Sequence, residues 1–207
     1  MRSRAKHLAA RTWLILLGLC TKSEGAQIVE LAVSLPLLAA LFVGTYDFGQ
    51  AFNVKQKLVA ATREGARFAA NQSTSDLTLA QGRSCAPASI CAVRDVVDAY
   101  LLANNISDCG LASASSAQPN SPQWVWTFTA NGCAGGNFVL TIDRGYTFTE
   151  TVASGGNNVS VTVEATRVTM SYPYPWQFNR LMQFLSPGAT YSAVTQIPTS
   201  AVVQNLN

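Results

Sequence analysis

Apolar residues are concentrated near the start of the chain, where they form one long segment over residues 26–46. Glu30 is the only charged residue in this segment. A helix of this length spans about 30 Å, which matches the hydrocarbon core of a bilayer. The segment is therefore predicted to cross a membrane. Pro36 lies inside it and removes one backbone donor, which predicts a kink or a local break there.

The helical period continues beyond this segment as far as residue 70. Apolar or small residues recur there at spacings of three and four. They are Val54, Leu58, Ala61, Gly65 and Phe68. Residues 26–70 are therefore predicted to form one helix of about 68 Å, at roughly 1.5 Å per residue. The stripe is predicted to pack on the sheet of the domain that follows.

The rest of the chain predicts a second helix and then strands. A polar loop over residues 71–92 precedes a helix over 93–104, and a flexible linker covers 112–122. Alternating apolar and polar positions predict strands at 124–129, 137–142, 146–152, 159–170 and 191–197. Asp143-Arg144-Gly145 and residues 154–158 are predicted as turns between them. The predicted fold class is α+β, with a long, partly transmembrane N-terminal helix packed on an antiparallel β-sheet domain.

Charge predicts the orientation of the chain. Only 12% of the residues are charged, whereas 48% are hydrophobic, which argues against a disordered tail or a nucleic-acid-binding protein. Residues 1–25 hold five basic residues against the single acid Glu24. Basic residues that flank a membrane segment tend to stay in the cytoplasm. The leader is therefore predicted inside, and everything after Tyr46 outside.

The cysteines agree with this orientation. Cys20 lies in the leader, and four cysteines follow the apolar segment, which in an exported domain predicts two disulfides. We favour the local pairing, Cys85–Cys91 and Cys109–Cys133, over the other two connectivities. Free buried thiols and a zinc site are the alternatives. The zinc site is disfavoured because no C-x-x-C spacing and no histidine occur there.

The leader has a second interpretation. Residues 13–20 form a short apolar run that could serve in a secretory signal peptide, with Ser23-x-Gly25 as the cleavage site. Cleavage there would leave the new terminus outside, and residues 26–46 would then carry the cysteine-paired domain into the cytoplasm. That compartment does not favour disulfides, so topology argues against this interpretation. A lipoprotein modification at Cys20 is weaker still, because bulky Leu19 precedes it.

Motifs that indicate catalysis are scarce. The only histidine, His7, lies in the leader, so the rest of the chain has no Ser-His-Asp or Cys-His pair. No G-x-x-x-x-G-K-[ST] loop is present for phosphate binding. We therefore expect no enzyme activity, no catalytic or metal-binding residues and no cofactor. Calcium binding at Asn104, Asn105 and Asp108 stays open, although no full ligand spacing is present.

Three blocks of the N-terminal helix carry a resemblance to a known family. They are EGAQIVELAVSLPLL at residues 24–38, YDFGQ at 46–50 and AATREGARFAA at 60–70. This region resembles TadE-like proteins, which are minor pilins or pseudopilins of the tight-adherence (Tad/Flp) pilus system. The remainder of the chain is similar to them only in its order of helix and strands.

The resemblance implies processing and assembly. A dedicated prepilin peptidase would cut between Gly25 and Ala26 on the cytoplasmic side of the inner membrane. The product would act with other pilins and with the membrane platform of the pilus. Glu30 would be the fifth residue of the mature chain, and a neighbouring subunit's Glu30 could pair with the new Ala26 amine and set the stagger between helices. In the other interpretation, Glu30 reaches water near the membrane surface.

These expectations define three segments. Residues 1–25 are a cytoplasmic leader, 26–70 are the long helix with transmembrane segment 26–46, and 71–207 are an extracytoplasmic α+β domain. The predicted function is that of a minor pilin or pseudopilin in assembly of an adhesive Tad-type pilus. The alternative is a permanently anchored, uncut binding or adhesion domain. A location in the filament, at its tip or only in the membrane stays open, as does the adhesion target.

One apolar stretch has two interpretations. Residues 172–185 include several aromatic residues and interrupt the predicted strands. They are predicted either as an exposed patch that contacts membrane lipid or pilus partners, or as a short helix that caps the core.

Overall fold

The chain divides into two units, Met1–Asp47 and Phe48–Asn207. The computed structural model describes residues 23–77, 85, 87–117, 124–154, 156–176 and 194–205. Its first helix, α1, runs over Ser23–Ala70 and contains Pro36. The long helix predicted for residues 26–70 is therefore present and begins three residues earlier. It continues through Pro36, so the predicted local break does not occur.

The second unit contains a helix and one antiparallel sheet after the end of α1. Helix α2 and a short 3₁₀ helix precede five strands that pair in chain order, each with the next. The elements are α2 (Ala88–Ala103), the 3₁₀ helix (Leu111–Ser113), β1 (Ser116–Ala117), β2 (Val125–Ala130), β3 (Phe138–Ser154), β4 (Asn157–Pro175) and β5 (Val194–Gln204). The predicted α+β class and antiparallel meander are confirmed.

The longest strand corrects one prediction. The sequence predicted a hairpin in which Asp143-Arg144-Gly145 separates strands 137–142 and 146–152. Phe138–Ser154 is instead one continuous strand that pairs with β4 both before and after these residues. The prediction of a turn was wrong because these residues form a β-bulge, which inserts a residue without reversing the chain.

Local hydrogen bonds explain how the bulge forms. The register shifts between Asp143 and Tyr146, so that Arg144 and Gly145 stand opposite the single residue Thr166. The Gly145 N–H donates to Asp143 Oδ1 at 3.1 Å, which satisfies a donor that the ladder has lost. Because β3 gains a residue, its side chains after the bulge change face. Before the bulge, even-numbered residues such as Ile142 face the core, whereas Tyr146 lies on the opposite face of the sheet.

Other element boundaries also differ from the predictions. Helix α2 begins at Ala88, five residues before the predicted start, directly after Pro87, whose fixed φ suits the start of a helix. The predicted linker at 112–122 includes part of the 3₁₀ helix and strand β1. Residues 172–175, predicted as an excursion between strands, belong to β4. The rest of that excursion, 177–185, lies outside the described residues.

The core lies between one face of the sheet and the two helices. Alternate residues of the central strands are buried on this face, as a period of two requires. They are Trp126, Phe128, Phe138, Leu140, Ile142, Val168 and Met170. Leu58 and Ala61 of α1 are fully buried, and Val54 and Phe68 pack against the core. The prediction that this stripe is a core face is confirmed.

Small and polar residues let α1 approach its neighbours closely. A Cβ added at Gly65 would lie 2.7 Å from Val97 Cγ2 of α2, so only glycine fits this crossing. The buried Thr62 hydroxyl contacts the Thr199 hydroxyl of β5 at 2.8 Å and donates to the Leu58 carbonyl at 2.6 Å. The buried hydroxyl groups of Thr62 on the helix and Thr199 on the sheet thus each have a hydrogen-bond partner.

Arg144 ties the bulge to the end of α1. Its side chain is only 5% exposed. The guanidinium donates to the Ala69 carbonyl and, at 2.9 Å, to the Gln72 carbonyl. Carbonyls at a helix C-terminus lack intrahelical partners and carry partial negative charge, so a cation is favoured there. Burial lowers the pKa of Arg144 from its usual value.

We expect Arg144→Met to lower the free energy of unfolding by roughly 2–4 kcal/mol, because it removes two charge-assisted hydrogen bonds. The Gln72 carbonyl loses its side-chain donor, whereas the Ala69 carbonyl keeps the Gln72 N–H. Urea denaturation of the purified chain in detergent measures this change. Arg63→Met is the matched control, since Arg63 is an exposed cation on α1 and its substitution should change the free energy of unfolding by less than about 0.5 kcal/mol. Equal losses in the two variants would contradict the assignment.

Candidate functional site

The N-terminal part of α1 exposes a continuous apolar surface. Nearly every residue from 27 to 42 is exposed, including Ile28 at 69% and Phe42 at 74%. Apolar surface of this extent on a helix marks contact with a membrane or with other proteins. Helix Gln27–Ala70 is long and apolar enough to cross a membrane by length and composition.

Two hydroxyl groups of the apolar segment bond to the helix itself. The Thr45 hydroxyl donates to the Leu41 carbonyl at 2.9 Å, and the Ser34 hydroxyl donates to the Leu31 carbonyl at 3.3 Å. Such back-bonding satisfies a hydroxyl group where water is absent. These two residues therefore do not prevent the segment from entering lipid. Glu30 is its only charged residue.

The predicted processing and assembly residues lie within two turns of each other on α1. Gly25 is half-buried and Glu30 is exposed. Residues four apart lie on the same face of a helix, so Glu30 projects on the side where Ala26 lies. Within the described residues, Glu30 forms no ion pair. The Glu30 carboxylate is therefore exposed on the helix surface.

The four cysteines form two pairs at disulfide-bonding distance. The Cα atoms of Cys85 and Cys91 are 6.0 Å apart, and those of Cys109 and Cys133 are 4.7 Å apart. These are the local pairs that the sequence analysis favoured. The first pair joins the segment before α2 to its first turn. The second joins the segment after α2 to the connection between β2 and β3.

Gly132 allows the second pair to form. Its N–H donates to the Cys109 carbonyl at 2.8 Å. A Cβ at this position would lie 2.6 Å from the same carbonyl oxygen, closer than real Cβ atoms approach. The two loops therefore meet backbone to backbone beside the cysteines.

Asp76 supplies a cap that the sequence analysis missed. Its carboxylate accepts hydrogen bonds from the Ser89 N–H at 2.7 Å and from the Ser89 hydroxyl at 2.8 Å. Ser89 lies in the first turn of α2, where free N–H groups favour an anion. The usual sequence signal is a polar residue immediately before the helix, but Asp76 acts from thirteen residues away.

The polar loop considered for calcium makes local contacts instead. Asp108 Oδ2 accepts from the Gly110 N–H at 3.1 Å, and the Asn104 side-chain amide donates to the Tyr100 carbonyl at 2.9 Å. Burial, followed by a hydrogen bond with Asp108, raises the pKa of Asp98. Across the described segments, no group of three or more His, Cys, Asp or Glu side chains could hold a metal ion.

The comparisons with known proteins agree with the location of this site. The family model described as TadE-like protein matches residues 25–67, which include Gly25, Ala26 and Glu30. The resemblance seen in the sequence is confirmed for this segment, which corresponds almost entirely to α1. No curated protein and no solved structure matches the chain.

We expect a non-reducing peptide map of the purified chain to contain linked peptides for Cys85–Cys91 and Cys109–Cys133. Removing the second link with the double substitution Cys109→Ala and Cys133→Ala should lower the free energy of unfolding by about 3 kcal/mol, because its loop is the longer one. The matched double substitution of Cys85 and Cys91 should cost less. Peptides that link Cys85 or Cys91 to Cys109 or Cys133 would refute the local pairing.

Proposed function

We propose, from the TadE-like segment at residues 25–67, that this chain is a minor pilin or pseudopilin of a Tad-type pilus. The observation that carries the proposal is the coincidence of that segment with an exposed apolar helix that holds a single carboxylate. A membrane-length helix with one acid fits a protein that is first anchored in lipid and then packed among similar helices.

Charge supports an orientation for this anchor. The five basic residues before Gly25 favour a cytoplasmic leader, and the paired cysteines favour an oxidising compartment for the second unit. A single pass through the inner membrane satisfies both requirements. The Gly25–Ala26 bond then lies at the cytoplasmic surface, where a prepilin peptidase would cut it.

Glu30 supplies the assembly contact in this proposal. An isolated carboxylate in hydrocarbon is costly, so it favours a cationic partner. Cleavage after Gly25 creates such a cation, the amine of Ala26, four residues away along the helix. Four residues correspond to about 6 Å, so a neighbouring helix shifted by that distance brings its Glu30 level with the amine. The pair would select this stagger among the many that apolar surfaces alone allow.

The alternative function has support from another part of the sheet. Beyond the bulge, β3 and β4 form a largely two-stranded extension: in the described residues β2 does not pair with it, and β5 reaches it only at its base, where Gln204 pairs with Ala165. Its valines are exposed on one face: Val152 and Val159 at 47%, and Val161 at 42%. An exposed apolar face of this kind favours a binding surface, as a permanently anchored binding or adhesion domain requires.

Processing distinguishes these functions. We expect the membrane-extracted chain to begin at Ala26 when an active prepilin peptidase is present and to stay full-length when the peptidase is inactivated. Gly25→Val should block the cut, because a branched side chain then adjoins the scissile bond. Gly44→Val is the matched control, since a side chain there meets no atom within 4 Å. Intact mass and N-terminal sequencing measure the outcome.

A full-length chain in both strains would favour the fixed anchor. Cleavage that persists without the peptidase would indicate ordinary signal peptidase, and the proposed topology would then be wrong.

Glu30→Ala should abolish assembly and leave cleavage intact. Loss of one partner of a buried ion pair costs about 3 kcal/mol or more, which corresponds to roughly a hundredfold loss of co-purification with pilus components. Glu64→Ala is the matched control, because Glu64 is an exposed acid on the same helix outside the apolar segment. Normal assembly by the Glu30 variant would exclude the pairing.

A further inference from the structure

Aromatic rings cluster where α1 enters the second unit. The Phe48 and Trp176 rings meet edge to face with centroids 5.2 Å apart, and Tyr174 contacts Trp176 at the same distance. The indole N–H of Trp176 donates to the Thr195 hydroxyl at 2.7 Å. This hydrogen bond and the two ring contacts hold Trp176 in one orientation. Tyr174 is only 8% exposed and belongs to the core, so it supports Trp176 from that side. Phe48 and Trp176 are called the aromatic cluster below.

The aromatic cluster continues into an exposed face of α1. Phe48 is 64% exposed and Phe52 is 62% exposed. Phe48, Phe52 and Lys55 are spaced by four and three residues, so they share one side of the helix. Lys55 is exposed as well. Large aromatic surface is therefore followed, about one turn further along, by a positive charge.

We propose that the aromatic cluster and Phe52 contact the surface of the lipid bilayer. The inference rests on the proposed function, because it requires residues 26–46 to span the membrane. Phe48 follows that segment by two residues in an uninterrupted helix, so it leaves the hydrocarbon core at the interface. Tryptophan is favoured at this depth because its ring has an apolar body and a polar edge.

The order of residues along α1 favours lipid over a protein partner. From Phe48 to Lys55 the helix rises by about 10 Å, which is the scale of the headgroup layer. Apolar rings at the lower end face acyl chains, and the Lys55 ammonium at the upper end reaches anionic phosphates. A protein surface would not require this order.

The tryptophans of the second unit provide internal controls. Trp126 is fully buried in the core, and Trp124 is half-buried. The Trp124 carbonyl accepts a hydrogen bond from the backbone N–H of Arg144. The Arg144 guanidinium in turn donates to the Ala69 carbonyl near the end of α1. Ala69 lies about 30 Å along the helix from Phe48. Trp124 and Trp126 therefore lie far from the proposed lipid contact.

Fluorescence quenching by brominated lipid tests the inference. The full chain would carry Trp13→Phe, since Trp13 lies in the leader, and would be reconstituted in vesicles containing anionic phospholipid. Bromine near the glycerol end of the acyl chains should quench emission more than bromine near the methyl end. Trp176→Phe should remove most of this quenching. Trp124→Phe is the matched control and should leave it unchanged.

The outcomes separate this inference from the proposed function. In one outcome, the chain resists alkaline extraction from the vesicles while brominated lipid leaves its tryptophan emission unchanged. That result would support the transmembrane anchor and exclude the lipid contact of the aromatic cluster. Protection of Trp176 from acrylamide only after other pilins are added would assign the aromatic cluster to a protein interface and overturn the inference. Release of the chain from the vesicles by alkali would overturn both the transmembrane anchor and the lipid contact. Lys55→Glu should reduce the quenching in anionic vesicles but not in neutral ones.

Discussion

The close crossing of α1 and α2 at Gly65 is the constraint on which the second unit depends. Any side chain there would meet Val97, so the glycine sets how near the helices approach. That approach allows Leu58 and Ala61 to be fully buried and brings Thr62 to the Thr199 hydroxyl of the sheet. Van der Waals attraction falls steeply with separation, so a wider crossing would weaken these contacts together.

One helix thus has two different apolar surfaces. Residues 48–70 have a stripe that the core buries, and their other faces carry polar and charged residues together with the exposed Phe48 and Phe52. Residues 27–46 are mostly apolar on every side of the helix, and most of them are exposed. A stripe suits packing against one neighbour, whereas an all-round apolar surface suits lipid or a bundle of similar helices.

Much of the fold could be predicted from the sequence, but the bulge and the cap of α2 could not. Asp143-Arg144-Gly145 has the composition of a turn, and local preferences alone favour a hairpin. The bulge prevails because the two halves of β3 pair with one continuous β4 and because Arg144 binds the Ala69 carbonyl of α1 and the Gln72 carbonyl just beyond it. Asp76 caps α2 across an intervening loop. Both outcomes depend on partners that are distant in sequence, which local patterns do not contain.

The sequence by itself determined the long helix, the antiparallel order of the strands, the buried stripe and the TadE-like segment, because each depends on periodicity or on adjacent residues. Only the tertiary structure decided that Arg144 is buried, that the faces of β3 exchange at Tyr146, and that Trp176 meets Phe48. These features join residues that are dozens of positions apart. Their energies depend on distance and burial in space, and a one-dimensional pattern records neither.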